Sequence, residues 1–92
     1  NLLPLFKINS VKELLAKSVN YQNICLEIGF GYGDLLIKEA NQNRNNLYIG
    51  CEPFINGVIS LLHKIQINNL HNILIYTDDA RKLLALLPDS FL

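Results

Sequence analysis

The stretch Leu26–Gly33 constrains the fold of this chain more than any other part of it. It reads Leu-Glu-Ile-Gly-Phe-Gly-Tyr-Gly, so an apolar run meets an acid and three glycines follow at alternate positions. A helical pattern starts directly afterwards, which predicts a strand, a tight loop and a helix. Glycines in such a loop accept positive φ angles and let the backbone approach a ligand, because no Cβ intervenes. We therefore predict a small-molecule site at this loop.

The rest of the chain repeats the order of strand and then helix. The periodicity predicts helices over 11–19, 33–41, 54–67 and 80–87, and apolar strands over 24–28, 47–51 and 73–77. Ser10 and Glu13 fit a capping box for the first helix, and Asp78 or Asp79 can cap the last one. Repeated βα units with right-handed crossovers give an α/β fold, a Rossmann-like parallel sheet with helices on both faces.

The apolar positions predict which side of each helix faces the sheet. The predicted inward-facing residues are Leu35, Leu36 and Ala40, then Phe54, Ile55, Val58, Leu61, Leu62 and Ile65, and finally Ala80, Leu83, Leu84 and Leu87. Gly57 interrupts the third of these helices at a cost of up to about 1 kcal/mol, and the pattern alone gives no reason for it.

The composition limits the class of protein. The chain has 92 residues, is 50% apolar and carries no net charge, which fits one small globular domain and argues against a strongly basic nucleic-acid surface. No apolar run is long enough to span a membrane, and no signal peptide is visible, so we expect a cytoplasmic protein. Cys25 and Cys51 lie in apolar runs and predict buried free thiols, with neither a disulfide nor a metal site.

The ends of the sequence predict a piece of a longer protein. The sequence contains no methionine, so we expect that residue 1 is not the encoded start. The final residues, 88–92, resemble a turn that leads into another strand. We therefore expect residues 1–92 to form a partial domain, with a leading segment and helix over 1–23 and three βα units over 24–92.

Acidic residues fall at the predicted carboxyl ends of the three strands, where open parallel sheets bind ligands. Glu27 lies beside the glycine loop, Glu52 ends the second strand, and Asp78 and Asp79 follow the third. A carboxylate after the second strand can accept both hydroxyls of a ribose. One after the third strand can accept from the amine of a purine, and Glu27 suits a ligand's ammonium group. Together these groups describe S-adenosylmethionine.

The glycine spacing distinguishes this ligand from a dinucleotide. The pattern is G-x-G-x-G, whereas the dinucleotide fingerprint G-x-G-x-x-G places its third glycine one residue later. An acid directly before the loop, Glu27, is also a poor neighbour for a pyrophosphate. A nucleotide-binding domain of a dinucleotide-dependent oxidoreductase is therefore the alternative that the spacing disfavours.

Several longer motifs resemble those of a known family, the bacterial tRNA (guanine-N7-)-methyltransferases, which are class I S-adenosylmethionine-dependent enzymes. The matching segments are Leu26–Gly33, Tyr48–Glu52, Gly57, Asn69–Ile73, Asp79–Ala80 and Leu83–Leu84. The resemblance covers about residues 26–92.

The resemblance implies roles for particular residues. Glu27 resembles the family's acid at the cofactor site, and Glu52 resembles the acid that binds the ribose. Asp79 resembles the acid beside the adenine, with Ala80 contributing its backbone. The loop under the amino-acid end of the cofactor would be formed by the three glycines, Gly29, Gly31 and Gly33.

The resemblance also implies what lies outside the chain. In the family, the acid tied to catalysis and the basic residues that help to hold tRNA follow the next strand, so we expect them beyond Leu92 and assign no catalytic residue here. The first strand would then keep an open apolar edge, which predicts self-association. A non-catalytic remnant remains a further alternative. We expect surface or packing roles for His63 and His71. Arg81 and Lys82 are expected to be solvated, with contact to RNA phosphate as the alternative. Tyr32 is expected either to cover the cofactor or only to pack.

Overall fold

The computed structural model describes residue 8, residues 11–89 and residues 91–92. The helices are α1 (Val11–Ser18), α2 (Asp34–Gln42), α3 (Ile55–Ile67) and α4 (Ala80–Leu86). The strands are β1 (Asn23–Ile28), β2 (Asn46–Cys51) and β3 (Ile73–Tyr76). The predicted order of elements is confirmed, and no bound differs from the predicted one by more than one residue. Ser10, the predicted N-cap of α1, lies outside the described residues.

The three strands form a parallel sheet in the order β1-β2-β3. In the register, Glu27 of β1 lies opposite Gly50 of β2, and Gly50 lies opposite Ile75 of β3. Parallel strands place their carboxyl ends at one edge, so the segments after Ile28, Cys51 and Tyr76 meet there. The sheet therefore brings the glycine loop, Glu52 and the Asp78–Asp79 pair to the same side of the molecule.

Helices cover both faces of the sheet, as the sequence predicts. On one face α2 and α3 pack on the sheet through buried residues such as Leu36, Leu61 and Ile65. On the other face α1 and α4 contribute Leu14 and Leu83. A strand that is covered on both sides is apolar at almost every position, which explains the continuous apolar runs of β2 and β3.

The predicted inward faces of α2, α3 and α4 need correction, and that of α4 concerns Leu84, which is 42% exposed. In α2 the buried residues are Leu36, Ile37 and Ala40, whereas Leu35 is 59% exposed. Each residue turns a helix by about 100°, so Leu35 lies almost opposite the centre of that buried face. In α3, Phe54 is the N-cap and does not share the helical periodicity, and Ile55 lies at the margin of the buried stripe; both side chains are about half exposed.

The buried Asn72 holds together the loops at the amino ends of the strands. Its side-chain Nδ2 donates to the carbonyl oxygens of Ala40 at 3.0 Å, Asn43 at 3.2 Å and Asn46 at 3.0 Å. These bonds satisfy the buried amide nitrogen, as buried polar groups require, whereas the buried Oδ1 has no hydrogen-bond partner among the described residues. The contact fixes the entry into β2 at the end remote from the glycine loop.

One edge of β1 is unpaired within the described part of the chain. β1 pairs with β2 on one side, and it is the outer strand of the sheet. Ile28 at its carboxyl end is 61% exposed. The outer edge of β3 is different, because the Ile8 N–H donates to the Ile75 carbonyl oxygen at 2.8 Å. Since open apolar edges pair with other chains, we propose that this polypeptide self-associates through β1.

Replacing Ile28 by lysine tests this proposal. Lysine on an edge strand opposes edge-to-edge pairing, so Ile28→Lys is expected to lower the average mass in sedimentation-velocity runs at high protein concentration. Ile67→Lys is the control, because Ile67 is an equally apolar residue, 81% exposed, at the end of α3. A parent chain that stays monomeric at every concentration contradicts the proposal.

Candidate functional site

The glycine loop after β1 has a backbone that requires glycine. Gly29, Gly31 and Gly33 all adopt positive φ angles, of 69°, 63° and 90°. Other residues reach this region only at a cost of about 1–2 kcal/mol. Added Cβ atoms at Gly29 and Gly31 would meet nothing within 4 Å. The loop therefore has open space beside its backbone at these two positions, where a ligand can approach.

Glu52 connects this loop to the start of α3. Its Oε1 accepts a hydrogen bond from the Gly31 N–H at 2.9 Å, and its Oε2 accepts one from the Phe54 N–H at 3.2 Å. Both donors are backbone groups that a carboxylate binds more strongly than a neutral acceptor does. Each carboxylate oxygen has two lone pairs, so Glu52 can anchor the loop and still accept from a ligand.

Gly57 has a structural reason that the sequence pattern did not give. A Cβ at this position of α3 would overlap the carbonyl oxygen of Gly31. The glycine loop and α3 therefore pack backbone against backbone. Two side chains of α3 strengthen the contact, because Ser60 Oγ and Lys64 Nζ donate to the Tyr32 carbonyl oxygen at 3.1 and 2.9 Å.

A cavity of about 510 Å³ opens at the carboxyl ends of the strands. Its size is in the range of small-molecule sites. Most of its wall is apolar, and the residues at the start of α4 contribute two carboxylates and one guanidinium to that wall. The lining residues are Ile28, Gly29, Cys51, Pro53, Asp78, Asp79, Ala80, Arg81 and Leu84. Leu84, predicted to pack inward, is 42% exposed because it forms part of this wall.

Asp79 is both the N-cap of α4 and the partner of Arg81. Its Oδ1 accepts from the Arg81 backbone N–H at 2.9 Å. The Arg81 side chain donates through Nε to both carboxylate oxygens, at 3.1 and 3.0 Å, and through Nη2 to Oδ2 at 2.5 Å. The guanidinium and the backbone N–H lower the pKa of the Asp79 carboxyl to about 2. Asp79 is thus an ionised acceptor at neutral pH.

The neighbouring acid is paired in a similar way. Asp78 Oδ1 accepts from the Asp79 N–H at 2.7 Å, and Lys82 Nζ lies 3.1 Å from Asp78 Oδ2. These two contacts lower the pKa of the Asp78 carboxyl, and the backbone hydrogen bond has the larger effect. Each acid before α4 therefore has its own basic partner on the first turn of that helix.

The predicted site residues take four different places in the structure. Gly29, Asp79 and Ala80 line the cavity, while Gly31 and Glu52 are bonded to each other beside it. Gly33 is buried where α2 starts, with the Leu61 side chain against it. Glu27 is half-buried within β1 and is not among the residues that line the cavity.

Some residues of the cavity were not singled out from the sequence. Arg81 is solvent-exposed, as the sequence predicts, but it also lines the cavity and binds Asp79, which the sequence does not predict. The signal was its position two residues after an N-cap acid, since that spacing lets one residue offer both its N–H and its side chain. Cys51 ends β2 and Pro53 comes shortly after it, so both residues lie at the edge of the sheet where the cavity opens. Burial raises the pKa of the Cys51 thiol to about 11, so this residue acts as an apolar wall.

A membrane-spanning helix and a group of metal ligands are both absent from the part of the chain that the structure describes. Within residues 11–89 no helix is long and apolar enough to cross a membrane. In the same part of the chain, no three His, Cys, Asp or Glu residues are grouped closely enough to hold a metal ion. Cys51 is buried as predicted, and Cys25 is half-buried; both are free thiols.

Known proteins match this chain over most of its length. A family described as "Putative methyltransferase" matches residues 21–92. A tRNA (guanine-N(7)-)-methyltransferase from Wolbachia pipientis wMel is 43% identical over 97% of this chain and 41% of its own length. The protein of that name from Agrobacterium fabrum is 44% identical over 98% of this chain and 41% of its own length. The chain thus spans about two fifths of these curated relatives.

Two solved structures resemble the fold. An antibiotic-related methyltransferase superposes with a TM-score of 0.68 at 24% identity, covering 80% of this chain and 39% of the other. The 16S rRNA methyltransferase KamB superposes with a TM-score of 0.66 at 25% identity, covering 87% of this chain and 37% of the other. The predicted Rossmann-like α/β fold is therefore confirmed, and with the family match over residues 21–92 the chain belongs to the methyltransferases.

Proposed function

We propose that the whole protein transfers a methyl group from S-adenosylmethionine to N7 of a guanine in tRNA, and that this chain carries the cofactor-binding half. The strongest support is that the candidate site lies within the region of the chain that aligns with these relatives. Proteins named tRNA (guanine-N(7)-)-methyltransferase align with almost the whole chain. The aligned region includes the glycine loop, Glu52 and the cavity beside Asp79.

The chemistry of the cavity fits the cofactor. Apolar walls from Ile28, Pro53 and Leu84 suit a flat purine ring, and the ionised Asp79 suits the amino group of adenine. Glu52 has spare lone pairs for ribose hydroxyls. The open space beside Gly29 and Gly31 suits an amino-acid end that lies close to the backbone. We propose Glu27 as the more distant acid that favours the ligand's ammonium group.

The bound cofactor would supply a methyl group on a positively charged sulfur, and the lone pair on guanine N7 would accept it. The base is its own nucleophile, so the enzyme needs no covalent intermediate. The part of the chain described here would bind and orient the donor, which can account for much of a rate enhancement. We assign the acid tied to catalysis, and most contacts with tRNA, to residues beyond Leu92.

The proposal also covers the extent of the domain and the compartment in which the protein acts. Residues 1–92 would form part of one methyltransferase domain, with three βα units over 24–92. The protein would act in the cytoplasm, where its tRNA substrate is found. The chain has equal numbers of acidic and basic residues, which agrees with an RNA surface supplied mainly by another part of the protein.

Calorimetric titration of this chain with S-adenosylhomocysteine and, separately, with NADH tests the proposal. We expect a one-to-one heat signal with the first ligand and none with the second, because the spacing of the glycine loop does not suit a pyrophosphate. Binding of NADH alone would support the oxidoreductase alternative. Binding of neither ligand would support the remnant alternative for this polypeptide.

Activity requires a longer polypeptide. A protein that extends this sequence to the length of its relatives should transfer radiolabelled methyl groups to unmodified tRNA. Mapping the product by mass spectrometry should place the label on a guanine. A label on another base contradicts the proposed substrate without contradicting the cofactor.

A further inference from the structure

Among the described residues that line the cavity, Arg81 is the only basic one. Its guanidinium binds both oxygens of Asp79, while 89% of the side chain remains exposed. Lys82, the next residue, binds Asp78 instead and does not line the cavity. Both acids line the cavity, so the two ion pairs differ only in their basic residue: Arg81 lines the cavity and Lys82 does not.

The geometry of the pair leaves Asp79 able to bind a ligand. Arg81 supplies three N–H groups: the backbone N–H binds Oδ1, Nε is shared between Oδ1 and Oδ2, and Nη2 binds Oδ2. A carboxylate offers about four lone-pair directions, so about one remains for a ligand. The forked guanidinium holds the plane of the carboxylate in a way that a single ammonium group does not. A carboxylate held in this orientation presents only acceptor atoms to the cavity.

We propose that Arg81 is a positioning residue that acts through Asp79, and that it makes the cavity select a purine with an amino group over a purine with a carbonyl oxygen. This inference rests on the proposed function, because it assigns the cavity to the adenine of the cofactor. An amino group donates to the fixed carboxylate, whereas a carbonyl oxygen at the same place is repelled by it. The lowered pKa of Asp79 supports this, since an ionised carboxyl has no proton to offer a carbonyl.

The test compares two ligands on three proteins. The ligands are S-adenosylhomocysteine and its inosine counterpart, in which a carbonyl oxygen replaces the amino group. The proteins are the parent chain, Arg81→Ala and the matched control Lys82→Ala, which removes one positive charge from the same helical turn. Arg81→Ala keeps the backbone N–H that Asp79 caps, so α4 retains its N-cap.

We expect Arg81→Ala to weaken binding of S-adenosylhomocysteine about threefold, the size of effect that exposed ion pairs allow. It should weaken the inosine ligand less, so that the preference for adenine falls. Lys82→Ala should leave both affinities within a factor of about two. As a second readout, NMR titration should show that the pKa of Asp79 rises from about 2 towards its ordinary value in Arg81→Ala.

Each other outcome overturns the inference. Equal weakening of both ligands by Arg81→Ala would show a merely structural role. Equal behaviour of Arg81→Ala and Lys82→Ala would show that the contact with the cavity is irrelevant, while the proposed cofactor would stand. Failure of the parent chain to bind either ligand would overturn the inference and support the remnant alternative for this polypeptide.

Discussion

Replacing Gly57 by alanine is expected to unfold most of this chain at room temperature. In an ordinary exposed helix this substitution stabilises by about 1 kcal/mol. Here the new methyl group would overlap the Gly31 carbonyl oxygen, a backbone atom that cannot rotate away. Overpacking typically costs about 1–3 kcal/mol, and occasionally more. A clash with a backbone atom belongs at the upper end of that range, which is comparable with the whole stability of a domain this small.

Urea denaturation followed by circular dichroism would measure the change. Asn56→Ala is the matched control, because Asn56 is the exposed neighbour of Gly57 in α3 and the substitution should stabilise by a few tenths of a kcal/mol. A Gly57→Ala midpoint equal to or above that of the parent would show that the loop and α3 are not in backbone contact. Loss of ligand binding without loss of stability would indicate that the loop moves instead.

Replacing Glu52 by alanine should have the second largest effect, and it should act on both stability and binding. The Gly31 and Phe54 N–H groups would lose their shared acceptor. Hydrogen bonds to a charged group contribute about 1.5–3 kcal/mol each where they are shielded from water. Because Glu52 is half-buried, we expect about 2 kcal/mol of destabilisation and at least a tenfold loss of affinity for S-adenosylhomocysteine.

Two further variants separate these effects. Glu39→Ala removes a half-buried carboxylate from α2, away from the cavity, and should leave the affinity unchanged. Glu52→Gln keeps one oxygen for the Gly31 N–H, so it should recover part of the stability but less of the affinity. If Glu52→Ala loses stability and retains full affinity, Glu52 only anchors the loop and another group binds the ribose.

The sequence was sufficient for the fold because its signals are local. Short apolar runs, glycines and helix-ending residues mark each βα unit without knowledge of the rest. Most errors concern side-chain direction at the start of helices, whereas Leu84, in the middle of α4, is exposed because it lines the cavity. Leu35, Phe54 and Ile55 lie within one turn of a helix start, where a shift of one residue moves the side chain to another face.

The candidate site was only partly predictable because its contacts join distant parts of the chain. The acidic residues could be identified from their positions at the ends of the predicted strands. No local sequence signal, however, shows that Glu52 accepts a hydrogen bond from Gly31 in the loop. The need for glycine at position 57 depends on an oxygen 26 residues earlier in the chain. Asn72 likewise caps carbonyl groups of loops that lie about 30 residues away, and no periodicity signals such a contact.

The order of strands in the sheet equals their order in the chain, and this has a consequence for synthesis on the ribosome. Each strand pairs with the one made directly before it. Because chains emerge from the amino end at about 5–20 residues per second, β2 can dock on β1 and β3 on β2 as each appears. The outer edge of β1 is then the first edge of the sheet to be synthesised, and it stays unpaired for the longest time. A nascent chain would therefore need protection at that strand before any other strand.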